Sequence, residues 1–168
     1  IIASDTSVPV VEARNFTSVA VAKPFNFFIR KGEVNGFAGL IGSGRSEVVR
    51  AIFAADRVTG GDISISGKRV KFTAPIHAMK HGIGFLPEDR KNEGIIADLS
   101  VQDNIILASQ SLKGFFRPFS RKEAEEFSKQ YVQSLNIKVP SLHTPIKLLS
   151  GGNQQKVVVG RWLLTHPQ

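Results

Sequence analysis

The sequence contains no cysteine, and its 168 residues include only one methionine, one tryptophan and one tyrosine. The absence of cysteine excludes a disulfide scaffold, a thiolate zinc site and a cysteine nucleophile, and it permits a reducing compartment such as the cytosol. No apolar run approaches the roughly 20 residues of a membrane-spanning helix. The opening residues, IIASDTSVPV, also lack the basic start and apolar core of a signal peptide. We therefore expect a soluble chain.

Charge is the next informative feature of the composition. The chain has 22 Lys and Arg against 14 Asp and Glu, a formal net charge of +8, and no acidic residue follows Glu126. A basic excess of this size is compatible with a nucleic acid, a phosphate ligand or an anionic membrane surface as partner. With 42% hydrophobic and 21% charged residues, the chain is suited to one compact globular domain.

Hydrophobic periodicity predicts a mixed α/β arrangement without internal repeats. Strand-type runs cover residues 8–16, 25–30, 34–40 and 83–86, and a hairpin is predicted over 61–72 around Gly67 and Lys68. Predicted helices cover residues 46–55 and 74–81, a segment capped by Ser100, a segment from the capping box of Ser120 and Glu123 to about Leu135, and a last segment capped by Ser150.

A glycine-rich turn, GLIGSGRS, follows an apolar strand and leads into a predicted helix. Glycines allow backbone N–H groups to turn inward, the helix N-terminus adds partial positive charge, and a terminal hydroxyl can reach Mg²⁺. Gly39, Gly44 and Ser46 match G-x-x-x-x-G-K-[ST], but Arg45 replaces the lysine. Because a planar guanidinium is not the same point charge, we expect nucleotide binding to survive better than hydrolysis. The alternative is an ordinary glycine-rich turn.

A second glycine turn, LSGGNQQK, begins the last predicted helix. Ser150 can cap this helix while offering its hydroxyl, and Gly151 and Gly152 expose N–H groups at its N-terminus. The segment is therefore a second candidate anion site, with a plain capped helix start as the alternative.

With both motifs in this order, the chain resembles the nucleotide-binding domains of ABC transporters. GFAGLIGSGRSE, GIGFLPEDRKNEGII, SVQDNIILA and LSGGNQQKVVVGRWLLTHP extend the resemblance to the second ATP-binding domain in the tandem ATPase subunits of bacterial monosaccharide importers of the ribose, galactose and galactofuranose type. The resemblance implies an α/β P-loop NTPase fold of the ABC ATPase type, with a mixed sheet, an antiparallel β subdomain and a helical signature subdomain. It implies one partial domain over 1–168, divided near residue 86 into a β subdomain with the P-loop core and a Q-loop region with the helical signature subdomain.

In this family two domains pair head to tail, and each ATP lies between the P-loop of one domain and the signature of the other. The residues implied to surround the phosphates are Gly39, Gly42, Ser43, Gly44, Arg45, Ser46 and Glu47, with Ser46 as the Mg²⁺ ligand. The implied signature residues are Leu149, Ser150, Gly151, Gly152, Asn153, Gln154 and Gln155. Of these, Ser150, Gly151, Gly152 and Gln154 are expected to meet the γ-phosphate of the opposite site.

The resemblance also has departures. Glu88 stands at the position of the Q-loop glutamine that senses Mg²⁺ and the membrane subunit; a carboxylate cannot donate an amide hydrogen bond but can approach a metal. The family's Walker B strand, with its Asp and Glu, and its switch histidine follow the signature helix, and neither is found before Gln168. We therefore expect a fragment without its C-terminal core strands that does not hydrolyse ATP alone.

Aromatic residues allow further interpretations. Phe16 is the nearest candidate for stacking on adenine but also fits a strand core. Phe115, Phe116 and Phe119 either dock a coupling helix of the membrane subunit or pack inside a small helical subdomain. We expect Trp162 to lie in the core.

The resemblance implies a domain that couples ATP binding and hydrolysis to sugar uptake, with ATP and Mg²⁺ as cofactors. Its implied partners are a second ATP-binding domain, membrane permease subunits and, indirectly, a periplasmic sugar-binding protein, at the cytoplasmic face of the bacterial inner membrane. Its own P-loop is expected to be degenerate, and its signature to complete the partner's site. One alternative is a nucleic-acid-associated ABC-type ATPase, but the long heptad coiled coil typical of those proteins is missing and we expect no nucleic acid. The other is a non-catalytic adaptor.

Overall fold

The computed structural model describes residues 8–21, 23–40, 42–114 and 116–168. Phe115, one of the candidate docking residues, lies outside these ranges. The chain divides into two units, one ending at His81 and the other beginning at Gly82.

The first unit contains a four-stranded sheet in the order β2-β1-β3-β4. Its strands are β1 (Val11–Ser18), β2 (Phe25–Ile29), β3 (Val58–Ile65) and β4 (Lys68–Val70). All pairs between these strands are antiparallel, with Val11 opposite both Ile29 and Ile65. The hairpin is confirmed, and it turns at Ser66 and Gly67, whose φ angles of 48° and 76° suit a two-residue turn.

Two helices accompany this sheet. Helix α1 (Arg45–Ile52) directly follows the glycine-rich turn, and α2 (Pro75–Lys80) begins with proline at its first position, where a missing N–H costs nothing. Both helices form close to where periodicity predicts them. Ala13, Phe16 and Ile63 are buried in the sheet. Strict alternation would place Ala13 and Phe16 on opposite faces, but the register of β1 shifts between these two residues, as at a β-bulge.

The strands predicted at 34–40 and 83–86 are wrong for this structure. Val34 and Leu40 are 99% and 86% exposed, and neither segment belongs to a strand. The backbone bonds at the ends of the first segment close local turns, from Glu33 N to the Arg30 oxygen and from Ser43 N to the Leu40 oxygen. A strand needs a neighbouring backbone to pair with, and apolar sequence alone does not supply one. The strands of the described ranges therefore form no parallel pair, which a mixed sheet would require.

The second unit is helical. It contains α3 (Val101–Lys113), α4 (Arg121–Ser134) and α5 (Gly151–Leu163), with a π-helical turn at Arg90–Gly94 and a 3-10 turn at Ile146–Leu148. Its buried apolar core consists of Val101, Ile105, Tyr131, Ile137, Ile146, Leu149, Val157 and Leu164. All three helices contribute to this core, which holds α5 in place from inside.

Local capping signals explain where two of these helices begin. The Ser100 hydroxyl accepts from the Asp103 N–H at 3.0 Å. The Ser120 hydroxyl accepts from the Glu123 N–H at 3.2 Å, and the Glu123 carboxylate accepts from the Ser120 N–H at 2.7 Å. The predicted N-cap and capping box are therefore confirmed. In the part of the chain that the structure describes, no helix has the length and apolar character to cross a membrane.

Candidate nucleotide-binding site

The glycine-rich turn adopts a conformation that depends on glycine. Gly42 and Gly44 have φ angles of 80° and 88°, in the left-handed region that other residues rarely adopt. Gly44 is the N-cap of α1, and no side chain caps this helix. A Cβ at either glycine would meet nothing within 4 Å. The turn therefore presents an open, uncapped helix N-terminus, which is suited to a phosphate group.

Arg45 lies against its own loop. Its Nη1 donates to the carbonyl oxygen of Gly39 at 3.2 Å, and a Cβ added at Gly39 would come within 2.9 Å of the Ser43 Cβ. The guanidinium of Arg45 thus lies beside the loop, with one of its N–H groups bonded to a backbone oxygen. A lysine at this position would present a compact ammonium group, which lacks the planar arrangement of N–H groups in a guanidinium.

The other expected phosphate-binding residues follow in the same stretch. Ser43 is exposed, and Ser46 and Glu47 are partly buried in the first turn of α1. A carboxylate in this position interacts favourably with the helix dipole. Within the described ranges, no group of three or more His, Cys, Asp or Glu side chains could hold a metal ion by itself. The Ser46 hydroxyl stays the predicted protein ligand for Mg²⁺ at this loop.

The signature turn begins α5, with Ser150 as its N-cap. The position agrees with the sequence, but the expected capping bond is absent: the Ser150 side chain caps no N–H group of this helix. Its hydroxyl instead accepts from Nδ2 of Asn153 at 2.9 Å. Ser150 and Gly152 are exposed, and a Cβ at Gly152 would meet nothing within 4 Å. This helix N-terminus is therefore open as well.

The next signature residues are directed inward rather than outward. Gln154 is 7% exposed, and its Nε2 donates to the carbonyl oxygens of Ile146 at 3.2 Å and Leu149 at 3.0 Å. Leu149 is buried, and Oδ1 of Asn153 accepts from the Lys138 N–H at 2.9 Å. The side chain of Gln154 thus supports the signature turn from the interior instead of standing beside Gly152 at its surface. Gln155 is partly buried.

The sequence analysis missed a buried arginine on the signature helix. Arg161 is 7% exposed. Its Nε donates to the Asn104 carbonyl at 2.7 Å, its Nη1 to the Gly94 carbonyl at 2.7 Å, and its Nη2 to Oδ1 of Asn104 at 2.8 Å. Burial lowers the pKa of Arg161 to about 10, so the group remains protonated near pH 7. An arginine within the apolar run VVVGRWLL is the sequence signal for this site.

The segment at the Q-loop position lies next to the signature turn in the second unit. Glu88 is exposed, and Asp89 accepts from the Asn92 N–H at 3.1 Å at the start of the π-helical turn. Hydrogen bonds from the side chain and then the backbone of Asn92 lower the pKa of Asp89. Arg90 extends to the first residue of α5, where its Nη2 lies 3.1 Å from the position of a Cβ built on Gly151.

The candidate aromatic residues have different environments. Phe16 is 2% exposed and meets Phe25 edge to face at 5.5 Å between ring centroids, which confirms the strand-core alternative. Phe119 packs edge to face on Phe127 at 5.5 Å, whereas Phe116 is 92% exposed. The subdomain therefore covers Phe119 but not Phe116. Trp162 is only partly buried, so its expected place in the core is wrong.

Solved structures identify the class of fold. A bacterial ABC transporter cassette in its dimeric form matches with a TM-score of 0.74 over 94% of this chain and 70% of that chain, at 21% identity. A cassette in a dimeric post-hydrolysis state with ADP and Pi matches with a TM-score of 0.72, 22% identity and the same coverage. The fold is thus that of an ABC ATP-binding cassette, a P-loop NTPase, as the resemblance implied.

The family follows from sequence comparison. The family model described as ABC transporter matches residues 22–168, and the chain belongs to this family. It is 48% identical over 160 residues to the galactofuranose transporter ATP-binding protein YtfR of Escherichia coli (strain K12), covering 95% of this chain and 32% of that protein. It is 43% identical over 160 residues to the fructose import ATP-binding protein FruK of Bifidobacterium longum (strain NCC 2705), covering 95% and 31%. The chain spans about a third of the length of the curated relatives it matches.

Proposed function

We propose that this chain is an ATP-binding domain of a bacterial sugar ABC importer and corresponds to the second ATP-binding domain of a tandem ATPase subunit. The observation that carries the proposal is 48% identity, over 95% of this chain, to a galactofuranose transporter ATP-binding protein. Relatives at 43% identity carry names for fructose and arabinose import, which supports sugar import as the shared role. The sugar itself is left open by this proposal.

The first part of the mechanism is binding of MgATP at the glycine-rich turn. The uncapped N-terminus of α1, the open backbone at Gly42 and Gly44, and the charge of Arg45 together suit the phosphates. The Ser46 hydroxyl would be a protein ligand of Mg²⁺, and MgATP, when bound, would supply the phosphoryl group. Because Arg45 replaces the usual lysine, we propose that this loop binds nucleotide more effectively than it supports hydrolysis.

The second part concerns the signature turn. Its open helix N-terminus, with Ser150, Gly151 and Gly152, would receive the γ-phosphate held by a partner ATP-binding domain. Gln154 acts indirectly by holding the backbone beneath this turn. ATP-dependent pairing of the domains would then move the membrane permease subunits, to which a periplasmic binding protein delivers the sugar. The domain would act at the cytoplasmic face of the inner membrane.

A calorimetric titration of MgATP into this chain, with phosphate release followed in the same sample, tests the binding step. We expect saturable binding with little phosphate release, because Arg45 stands in the loop in place of the usual lysine. Gly44→Ala should weaken binding, and Gly32→Ala is the matched control: both glycines have positive φ, 88° and 77°, and open space for a Cβ, but only Gly44 belongs to the loop. Absence of binding, or equal effects of the two substitutions, would contradict the assignment.

The importer role is tested in the full-length protein assembled with its permease subunits in vesicles. Sugar uptake and ATP hydrolysis should both require MgATP, and Ser150→Arg should lower the ATPase rate by obstructing the signature turn. An unchanged rate in Ser150→Arg would rule out the proposed role of this turn. ATPase activity stimulated by DNA, with binding that weakens as salt rises, would instead support the nucleic-acid alternative.

A further inference from the structure

The π-helical turn at Arg90–Gly94 touches the signature helix at two places in the second unit. At its start, Nη2 and Nη1 of Arg90 lie 3.1 and 3.4 Å from the position of a Cβ built on Gly151. At its end, the Gly94 carbonyl accepts from Nη1 of Arg161 at 2.7 Å. This short turn therefore contacts α5 at two places: at Gly151, the first residue of the helix, and at Arg161, near the C-terminal end of the helix.

The contact at Arg90 is not explained by folding stability. Nε of Arg90 is buried without a hydrogen-bond partner. None of the ion pairs found among the described residues includes this guanidinium. The group also stands at the N-terminus of α5, the positive end of the helix dipole, where a cation is disfavoured. A cation in this position points to a role other than stabilising the fold.

The arrangement leaves little room between the two segments. A Cβ at Gly94 would meet Cγ of Arg90 at 3.4 Å and Cγ of Pro87 at 3.5 Å, so the turn is packed onto its own arginine stem. Displacement of the segment that carries Glu88 would move Arg90 with it. Because the Arg90 head lies against Gly151, that displacement reaches the signature turn directly.

We propose that Arg90 is a positioning residue for the signature turn and transmits movements of the segment containing Glu88 to Gly151. The expected effect of Arg90 on ATP turnover rests on the proposed function, whereas the contact between Arg90 and Gly151 does not. Arg90 sets where the signature backbone stands when a partner's nucleotide arrives, and it takes no part in bond making or breaking.

The functional test uses the full-length protein assembled with its permease subunits. Arg90→Ala should lower kcat for ATP hydrolysis about tenfold, equivalent to ~1.4 kcal/mol, and leave KM for ATP within about twofold. Arg90→Lys should restore only part of the rate, because lysine lacks the planar head that meets Gly151. Lys91→Ala is the matched control on the same turn and should leave kcat unchanged. An unchanged kcat in Arg90→Ala would overturn the proposal.

A purely structural role is separated by urea unfolding of the same variants. The midpoint for Arg90→Ala should fall below that of Lys91→Ala only by the lost packing of the Arg90 stem against Gly94, and both variants should be fully folded under the assay conditions. A fall in kcat that follows a loss of folded protein would overturn the positioning role.

Backbone amide NMR of this chain separates failure of the proposal from failure of the proposed function, because it requires no ATPase activity. Glu88→Gln should shift the amide resonances of Gly151 and Gly152, and this shift should disappear when Arg90→Ala is also present. A shift that persists without Arg90, or no shift in either background, would overturn the transmission. If the shifts behave as expected but the assembled protein neither hydrolyses ATP nor transports sugar, the contact stands and the importer assignment fails.

Discussion

Arg161 on α5 donates a hydrogen bond from Nη2 to Oδ1 of Asn104 on α3, over 2.8 Å, and a second from Nε to the Asn104 carbonyl, over 2.7 Å. Asn104 is fully buried, and its Nδ2 donates to the carbonyls of Ile96, Leu99 and Ser100. The charge of Arg161 is therefore distributed over backbone and amide oxygens. This pair joins the signature helix to α3 and to the segment before it.

The first prediction concerns this pair. Arg161→Met should lower the free energy of unfolding by about 2–4 kcal/mol, because three buried oxygens lose a charged donor. Asn104→Ala should have a comparable effect, and the double variant should be less destabilised than the sum by at least ~1 kcal/mol. Urea unfolding of the four proteins measures this coupling. Lys156→Met, on the exposed side of α5, is the control and should change stability by no more than about 0.5 kcal/mol; additive effects would contradict the pairing.

The pH dependence of Arg161 has a defined sign. Burial lowers its native pKa from the ordinary value of an arginine to about 10, so the native state releases the proton more readily than the unfolded state. The contribution of Arg161 to stability therefore rises with pH above about 10, up to the ordinary pKa of an arginine, and is constant below that window. We expect the stability difference between wild type and Arg161→Met to be flat from about pH 6 to 9. A slope over this range would contradict the assignment.

The capping box on α4 leads to another prediction. Ser120→Ala should destabilise the protein by ~1 kcal/mol, since a helix N–H group loses its acceptor. The hydrogen bonds with Ser120 lower the pKa of Glu123. Its contribution is therefore present above the ordinary carboxyl pKa and is lost as pH falls through the lower native value. Unfolding curves at neutral and acidic pH should show the Ser120→Ala difference becoming smaller in acid.

Ser111→Ala provides the control for the cap. The Ser111 hydroxyl donates to the Leu107 carbonyl within α3 at 2.9 Å, a bond that competes with helix geometry rather than supporting a terminus. Removal of the Ser111 hydroxyl should leave the free energy of unfolding nearly unchanged at both neutral and acidic pH. Equal losses for Ser111→Ala and Ser120→Ala would argue against a specific cap.

The signature turn supplies a prediction about Gln154. Gln154→Met keeps the volume of the buried side chain but removes both donors to Ile146 and Leu149, so stability should fall by ~1–2 kcal/mol. Gln155→Met, one residue further along the same helix, should change stability by less than about 0.5 kcal/mol. Thermal and urea unfolding compare the two variants. A larger loss of stability for Gln155→Met than for Gln154→Met would contradict the assignment of the supporting amide to Gln154.

Substitutions of Arg45 test how the shape and charge of the side chain at this position affect MgATP binding to the glycine-rich turn. Arg45→Lys should strengthen MgATP binding about tenfold, or ~1.4 kcal/mol, because an ammonium acts as a compact charge. Arg45→Ala should weaken binding by removing the charge. Calorimetric titration of this chain measures both, with Arg14→Lys on β1 as the control that leaves affinity unchanged. Equal affinity of wild type and Arg45→Lys would show that the loop is not degenerate at this position.

Much of the candidate site follows from local sequence. The caps at Ser100 and Ser120, the start of α1 after Gly44, and the place of Ser150 at the head of α5 all depend on residues within a few positions of one another. Such patterns predict structure well because the interacting groups are close along the chain. The positions of the two glycine turns at the starts of α1 and α5 were predicted for the same reason.

Two features differ from what the sequence pattern predicts, one because of a distant partner and one because of local competition. Periodicity indicated a strand at 34–40, but strand formation requires a neighbour that periodicity does not provide. The Ser150 hydroxyl bonded to Asn153 instead of capping, because a competing amide stood within reach. The missing strand could not be deduced from spacing, because pairing depends on which backbone the fold brings alongside. Spacing does place Asn153 beside Ser150, but it does not decide whether the hydroxyl bonds to that amide or to a helix N–H group.

The sequence by itself determined that this chain carries two glycine turns, each at the start of a helix, and that an arginine takes the place of the first turn's lysine. Only the tertiary structure decided that Gln154 supports the signature turn from below, that Arg161 bonds to Asn104 and Gly94, and that Arg90 meets Gly151. The physical reason is distance along the chain. Backbone conformation and capping are set by neighbouring residues, whereas buried polar groups are satisfied by whichever donors and acceptors packing places beside them.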